Sequence, residues 1–433
     1  MLKTGTFHIL TAIIVLALGL PPSLCAAGDG EALPLSVRRV LYQAQTLIAE
    51  NRPEEARLKL EAYRKKKQRS HYLVEFTLGD IWMQQEAYPP AARAYRQALK
   101  LKKNYAPAWM NLGKATYEMA DYQTAADCFY RAYRADTQPR PERLFYSATA
   151  YLLAESPEQA LSMFRTLIKA HPETVKLEWK PTLVQIYLAL DQLEAALPVI
   201  EELAAQSAPP KKIQWRETLL GHYLLLGKEA QAITYARKLT RSNPTVSRWW
   251  KALAHILLRQ QQFEEALQAL MIYAKLAEPG ETEKKLLADL NLQVGIPALA
   301  VHYYRELADA DPNVEIVTHL THALRRLGRQ TEALQQIEGY LAKQAAPDLL
   351  WMKGELLYEM KRYPDAAAAF RLCALNGSLA GKAWLMAGYA SLQAKDITAA
   401  RVELTRAAAY PEQKKSAHAA LKELENITSD YGS

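Results

Sequence analysis

Apolar positions along this chain fall into pairs of helical stripes, each pair divided by a short polar turn, and the pattern returns every 33 to 36 residues. Its most constant member is an alanine: Ala56, Ala91, Ala125, Ala160, Ala196, Ala232, Ala266, Ala300, Ala333, Ala366 and Ala400. Around Ala125 the first stripe is Trp109, Leu112, Ala115, Thr116 and Met119. After a turn at Asp121 and Tyr122, the second is Ala125, Ala126, Phe129, Ala132 and Tyr133. Offsets of three, four and seven put each stripe on one face of a helix. A globular core has no reason to keep such a period. A stack of like helix pairs does, because each pair presents the same surface to the next.

Other residues keep time with the alanines. Gly79, Gly113, Gly354 and Gly388 stand twelve before, Trp109, Trp250 and Trp384 sixteen before, and Tyr95, Phe129, Phe164, Tyr304 and Phe370 four after. A glycine inside a helix costs roughly 1 kcal/mol against alanine, so close packing is its expected compensation. The run Trp109, Leu112, Gly113, Ala125, Phe129, with prolines such as Pro172, Pro244 and Pro312 closing units, resembles the tetratricopeptide repeat over roughly residues 36–412. That resemblance implies an all-α, right-handed superhelical solenoid of about eleven helix-turn-helix repeats, with first helices lining the concave face. Residues 413–427 read as a capping helix, because a solenoid must cover its last apolar face.

One joint interrupts the period. Spacing stretches to 36 on both sides of Ala196, Pro181 falls near a helix start and Pro198 inside a second helix, and Ser207-Ala208-Pro209-Pro210 reads as a linker. An interior proline kinks a helix or costs about 3 kcal/mol. Residues 173–212 are therefore expected to bend between repeats 1–5 (36–205) and repeats 6–11 (206–412).

Residues 1–27 stand outside the repeats. Lys3 precedes an apolar run from Ile9 to Leu20, then Pro21-Pro22 and the small residues Cys25-Ala26-Ala27, the order of a cleaved secretory signal. An uncleaved anchor and a lipoprotein modified at Cys25 are the alternatives. Cleavage leaves 53 basic against 46 acidic residues, a net charge of +7, and two cysteines, Cys128 and Cys373. An exported chain that does not depend on disulfides suits a bacterial periplasm.

Catalytic signatures are missing from the sequence: there is no phosphate loop, no G-x-S-x-G elbow and no paired-cysteine metal motif. Glu315, His319 and His322 share a helix face, but their spacing spreads over about 10 Å of helix, so they read as groove-facing polar residues rather than metal ligands. The clusters Lys65, Lys66, Lys67, Arg69 and Lys100, Lys102, Lys103 end second helices, where cations complement the helix dipole. A basic edge that meets anionic headgroups or an acidic partner is the other reading.

Residues 15, 11 and 8 before each alanine form the inward stripe of the first helices. In the N-terminal repeats they include Phe76, Asp80, Met110, Lys114, Tyr117 and Phe145. Later they give Lys251, His255, Lys285, His322 and Arg325, flanked by Arg248, followed by Trp351, Tyr358 and Tyr389. Aromatic anchors beside cations suit a groove for an acidic or carboxylate-bearing protein segment. Trp351 and Tyr389 fit inter-repeat packing equally well. Neighbouring like charges in this stripe are expected to repel one another. Finally, Trp249-Trp250-Lys251-Ala252-Leu253-Ala254, Gly295-Ile296-Pro297-Ala298-Leu299-Ala300, and Gly381-Lys382-Ala383-Trp384 running on to Ala409-Tyr410 resemble periplasmic tetratricopeptide proteins encoded beside TonB, ExbB and ExbD homologues. The resemblance implies an accessory component of envelope energy transduction, with TonB/ExbD-type envelope components as partners. The missing catalytic signatures point to a non-enzymatic scaffold without cofactors, export argues against nucleic acid, and membrane association is expected only through partners. A scaffold for envelope polysaccharide export is the alternative.

Overall fold

The structure, a computed structural model, describes residues 33–67, 70–377 and 379–430, and the expected signal segment lies outside them. Among the described residues there are 23 α-helices and no strand. The first pairs are α1 (Leu35–Ala49) with α2 (Pro53–Lys67), α3 (Tyr72–Gln84) with α4 (Tyr88–Leu101), and α5 (Ala106–Glu118) with α6 (Tyr122–Ala135). α7 (Pro141–Leu153) pairs with α8 (Pro157–Ala170), and α9 (Lys180–Ala189) with α10 (Leu193–Gln206). Then come α11 (Lys211–Leu225) with α12 (Glu229–Ser242), α13 (Ser247–Arg259) with α14 (Phe263–Leu276), and α15 (Glu281–Gln293) with α16 (Pro297–Ala310). α17 (Val314–Arg326) pairs with α18 (Gln330–Leu341), α19 (Pro347–Glu359) with α20 (Tyr363–Asn376), and α21 (Ala380–Gln393) with α22 (Ile397–Ala408). α23 (Lys414–Asp430) follows alone.

Contacts divide the chain into two compact units, Met1–Arg216 and Glu217–Ser433. In the first, α1 to α10 each touch the next helix in sequence; in the second, α12 to α23 do the same. Each unit is thus an all-α solenoid whose core is built between neighbours. The cap expected at 413–427 is α23, which closes the last cluster with Ala417, Ala420 and Leu424.

The periodic alanines explain the packing. All eleven are fully buried, at 0% exposure. Positions twelve before and four after each alanine share volume between them. A side chain at Gly79 would put its Cβ 2.4 Å from the Tyr95 ring, and one at Gly113 would stand 2.7 Å from Phe129. The glycine therefore makes room for an aromatic ring, rather than chiefly for a close approach of two backbones. In one repeat the sizes invert: Leu220 holds the glycine position and Ala236 the ring position, both buried. Native packing density requires this exchange.

The turns within pairs share a device. Five residues before every periodic alanine the backbone is left-handed, from Asn51 (φ 59°) and Ala120 (φ 59°) to Gly295 (φ 87°) and Lys395 (φ 61°). The following N–H bonds the carbonyl five residues back, as Asp121 to Thr116 and Asp396 to Ser391 at 2.9 Å each. This is the Schellman end, which satisfies orphan carbonyls of the first helix. Tryptophans fasten the turns between pairs: Trp109 Nε1 donates to the Lys103 carbonyl at 2.7 Å and Trp250 Nε1 to that of Pro244 at 2.8 Å.

The longer spacing before Ala196 accommodates two short 3-10 turns, Pro172–Thr174 and Leu177–Trp179. They deliver Trp179 into the core, stacked on Phe145 at 5.0 Å. Pro181 lies in the first turn of α9, and Pro198 inside α10.

Candidate functional site

The stripe from Arg248 to Tyr389 lies within the second unit, on α13, α15, α17, α19 and α21. Arg248, His255 and His322 are exposed; Lys251, Lys285, Arg325, Trp351, Tyr358 and Tyr389 are half-buried. The cations do not form the self-repelling row that the sequence suggests. Lys251 on α13 pairs with Glu283 on α15, Lys285 on α15 with Glu315 on α17 at 2.5 Å, and Arg325 on α17 with Glu359 on α19. Arg248 reaches back to Glu217 on α11 at 3.0 Å. Each pair spans one repeat, so the first helices are stitched edge to edge by a ladder of opposite charges. The bond from Lys251 holds the Glu283 carboxyl below its usual range, and that from Lys285 does the same to Glu315. Surface pairs of this kind contribute about 0–1 kcal/mol each.

Glu315 is thus committed to Lys285 rather than grouped with the two histidines on its own helix. His319 turns instead to Tyr304, whose hydroxyl lies 3.2 Å from Nδ1 and donates to Asp289 Oδ1. Around them opens a cleft of about 740 Å³, reaching from Leu292 and Gln293 on α15 to His322, Arg325 and Glu359. Arg326 closes one wall by donating to the Leu292 carbonyl at 2.8 Å. Partial desolvation, then neighbouring Arg325 and His319, lower the His322 imidazole below its ordinary pKa, against the pull of Glu355. Desolvation and Lys251 lower that of His255 in the same way, with Glu283 opposing. Both rings favour the neutral form, able to donate and accept one hydrogen bond each.

The aromatics divide between packing and display. Trp351 packs on Phe370 at 5.2 Å and holds the Lys382 ammonium 4.5 Å from its ring centroid. Tyr358 meets Tyr363 edge-on at 5.2 Å, and Tyr389 leans on the last core cluster. Each keeps an edge in solvent. In the first unit Phe76 and Phe145 are buried, so the expected N-terminal aromatic display is core there. What that face does present is a polar knot on α3 and α5. Asp80 Oδ1 accepts from the Tyr95 hydroxyl at 2.7 Å and from Asn111 Nδ2 at 2.8 Å. Burial raises the Asp80 carboxyl to about 6, although both donors and nearby Lys114 pull the other way.

Reading the cations alone missed their acidic partners. The signal was available: Glu283, Glu315 and Glu359 follow Lys251, Lys285 and Arg325 by 32, 30 and 34 residues, close to one repeat.

The TPR repeat family profile matches residues 79–119, and a tetratricopeptide repeat profile matches 222–280, 320–376 and 351–417. These matches support the tetratricopeptide repeat superfamily for the chain. No curated protein sequence matches it. Among solved structures it is similar to a tetratricopeptide repeat protein from Parabacteroides merdae, at 16% identity and TM-score 0.35, covering 60% of this chain and 100% of that one. It is also similar to the C-terminal part of a TPR repeat-containing protein from Cytophaga hutchinsonii, at 13% identity and TM-score 0.42, covering 57% and 99%.

Proposed function

We propose that this chain, whose matches support the tetratricopeptide repeat superfamily, is a non-enzymatic periplasmic scaffold that binds a carboxylate-bearing protein segment. The segment lies along the first helices α13 to α21. The observation that supports this reading most is the ladder of exchangeable ion pairs beside half-buried aromatics and an open cleft. An acidic segment binds here by exchange: its carboxylates replace Glu283, Glu315 and Glu359 on their cations. Each displaced surface pair costs little, about 1 kcal/mol or less, while Trp351, Tyr358 and Tyr389 supply anchor area. The partner class we infer is a component of a TonB/ExbB/ExbD-type envelope complex, and the N-terminal segment would direct export.

Exchange makes an unusual demand. Removing the internal competitors in a Glu283→Gln/Glu315→Gln/Glu359→Gln variant should tighten binding of the partner, and reversing Lys251, Lys285 and Arg325 should abolish it. Crosslinked co-purification from envelope fractions, followed by quantitative mass spectrometry, reads both. Recovery of ExbB- or ExbD-like proteins supports the partner class; recovery of polysaccharide export enzymes in their place rejects it. Unchanged capture by both variants removes this face as the binding site.

A further inference from the structure

Three second helices of the first unit, α4, α6 and α8, carry an exposed positive charge that no carboxylate of the fold neutralises. α4, α6 and α8 hold seven basic residues, Arg93, Arg96, Lys100, Arg131, Arg134, Arg165 and Lys169, against two acids, Asp127 and Glu158. All seven are exposed. Asp127 already accepts from the Tyr151 hydroxyl at 2.5 Å. Among the described residues none of the seven has a carboxylate at ion-pair distance. Arg131 lies over the Trp109 ring at 4.9 Å, and Arg134 reaches the Tyr130 hydroxyl at 3.4 Å.

The second unit supplies the comparison. Five residues after the periodic alanine, Arg237, Arg305 and Arg371 pair with Glu265, Glu332 and Glu403 of the following repeat. Arg96 and Arg165 occupy that same position in the first unit. The residues standing where those partners would be are Thr124 and Cys128 for Arg96, and Ala195 and Val199 for Arg165. One architecture thus neutralises a position in one unit and leaves it bare in the other. The helix dipole accounts for Lys100, Arg134 and Lys169, which lie in last turns. It does not account for Arg93, Arg96, Arg131 or Arg165.

Two further features choose the partner. Leu101 and Ile168, at the C-terminal ends of α4 and α8, are 46% and 41% exposed beside Lys100 and Lys169. The Tyr133 hydroxyl at the end of α6 lies 3.0 Å from His171 Nε2 just past α8, so those helix ends share one edge. A cleft of about 450 Å³ between α8 and the turn at Leu190 and Gln192 is lined by Ser162, Arg165 and Lys169, donors suited to a phosphate, and also by Glu158. We propose that this face docks on an anionic phospholipid surface. Its arginines take headgroup phosphates, and Leu101 and Ile168 enter the acyl boundary, the arrangement of an interfacial rather than a spanning contact. No described helix is long and apolar enough to cross a membrane. A soluble polyanion would use the cations but has no use for the two aliphatic side chains.

The test is sedimentation of the full chain with phosphatidylcholine vesicles, with and without phosphatidylglycerol. The readout is the gain on adding the anionic lipid in the wild-type chain against the arginine variant, since the N-terminal segment, with Lys3 before its apolar run, is the same in both. We expect a gain that salt abolishes. An Arg93→Gln/Arg96→Gln/Arg165→Gln variant should lose about a hundredfold in affinity, at about fivefold per cation, with helical circular dichroism unchanged. Leu101→Ser/Ile168→Ser should weaken vesicle binding and leave heparin binding as it was. Equal sedimentation with both vesicle types, or full retention by the arginine variant, overturns the proposal. So does a leucine/isoleucine variant that binds vesicles normally, which would make the ligand a soluble polyanion or an acidic protein.

Discussion

Asp80 is a carboxylate that the first unit holds at a cost, and replacing it should make that unit more stable. Its carboxyl sits half-buried on α3, with Tyr95 and Asn111 donating to one oxygen. Burial lifts its pKa to about 6 against these favourable bonds. The folded value thus lies above an ordinary, unfolded value near 4. A group raised on folding contributes stability below its unfolded pKa and loses it as pH rises through the folded one. A displacement of that size is worth about 3 kcal/mol by pH 8. Asp80→Asn keeps an acceptor for both donors and removes the ionisation, at the expense of attraction to Lys114 and of placing a new amide N–H pair. The net expectation is a gain of about 1–3 kcal/mol at pH 8 and none at pH 4. Solenoids open piecewise, so the assay is hydrogen exchange of peptides spanning α3 to α6 rather than a single melting temperature. Equal destabilisation by Asp80→Asn at both pH values would refute the reasoning. It would mean that the donors, not burial, govern the carboxylate.

Other expectations rest on separate parts of the fold. Ala125→Leu forces methylenes into a fully buried site and should cost about 1–3 kcal/mol in urea titrations. The proper surface control is Lys103→Ala, expected within about ±0.5 kcal/mol. Its neighbour Lys102 lies over the Tyr72 ring at 4.8 Å and is no neutral site. Ala120→Gly should stabilise by up to about 1 kcal/mol. It relieves a left-handed alanine worth roughly 1–2 kcal/mol of strain and gives back part of that as unfolded-chain entropy; a loss of stability would contradict the turn geometry. His255 and His322, lowered on folding, contribute stability that is complete above the ordinary imidazole pKa near 6.5 and is lost as pH falls through their folded values. His322→Gln should flatten that acid limb, measurable by imidazole NMR titration alongside denaturation.

Legibility in the sequence followed the physics of each feature. Packing is periodic, so the eleven alanines, the recurring glycine and ring positions and the final helix could be read from spacing alone, whereas the seating of each ring against its glycine needed the structure. Turn conformation was legible only at Gly227, Gly295 and Gly328. Elsewhere Asn51, Glu86 and Lys361 take the same left-handed φ because a Schellman end imposes it, and side-chain identity hardly reports it. The charge of the stripe was misread because cations and their partners lie one repeat apart. The aromatics of the first unit were misread because Phe76 and Phe145 occupy inward positions that inter-helix packing fills.

Photo-crosslinking in envelope fractions tests the central claim most directly. A crosslinking residue at Gln293, in the cleft on α15, and another at Tyr358, on α19, sample the first-helix face; one at Gln97, exposed on α4, serves as the contrast. If the second unit binds a protein segment by ion-pair exchange, Gln293 and Tyr358 should capture the same protein. The Glu283→Gln/Glu315→Gln/Glu359→Gln background should increase that capture. Protein capture from Gln97 alone, with none from Gln293 or Tyr358 in either background, would contradict the account.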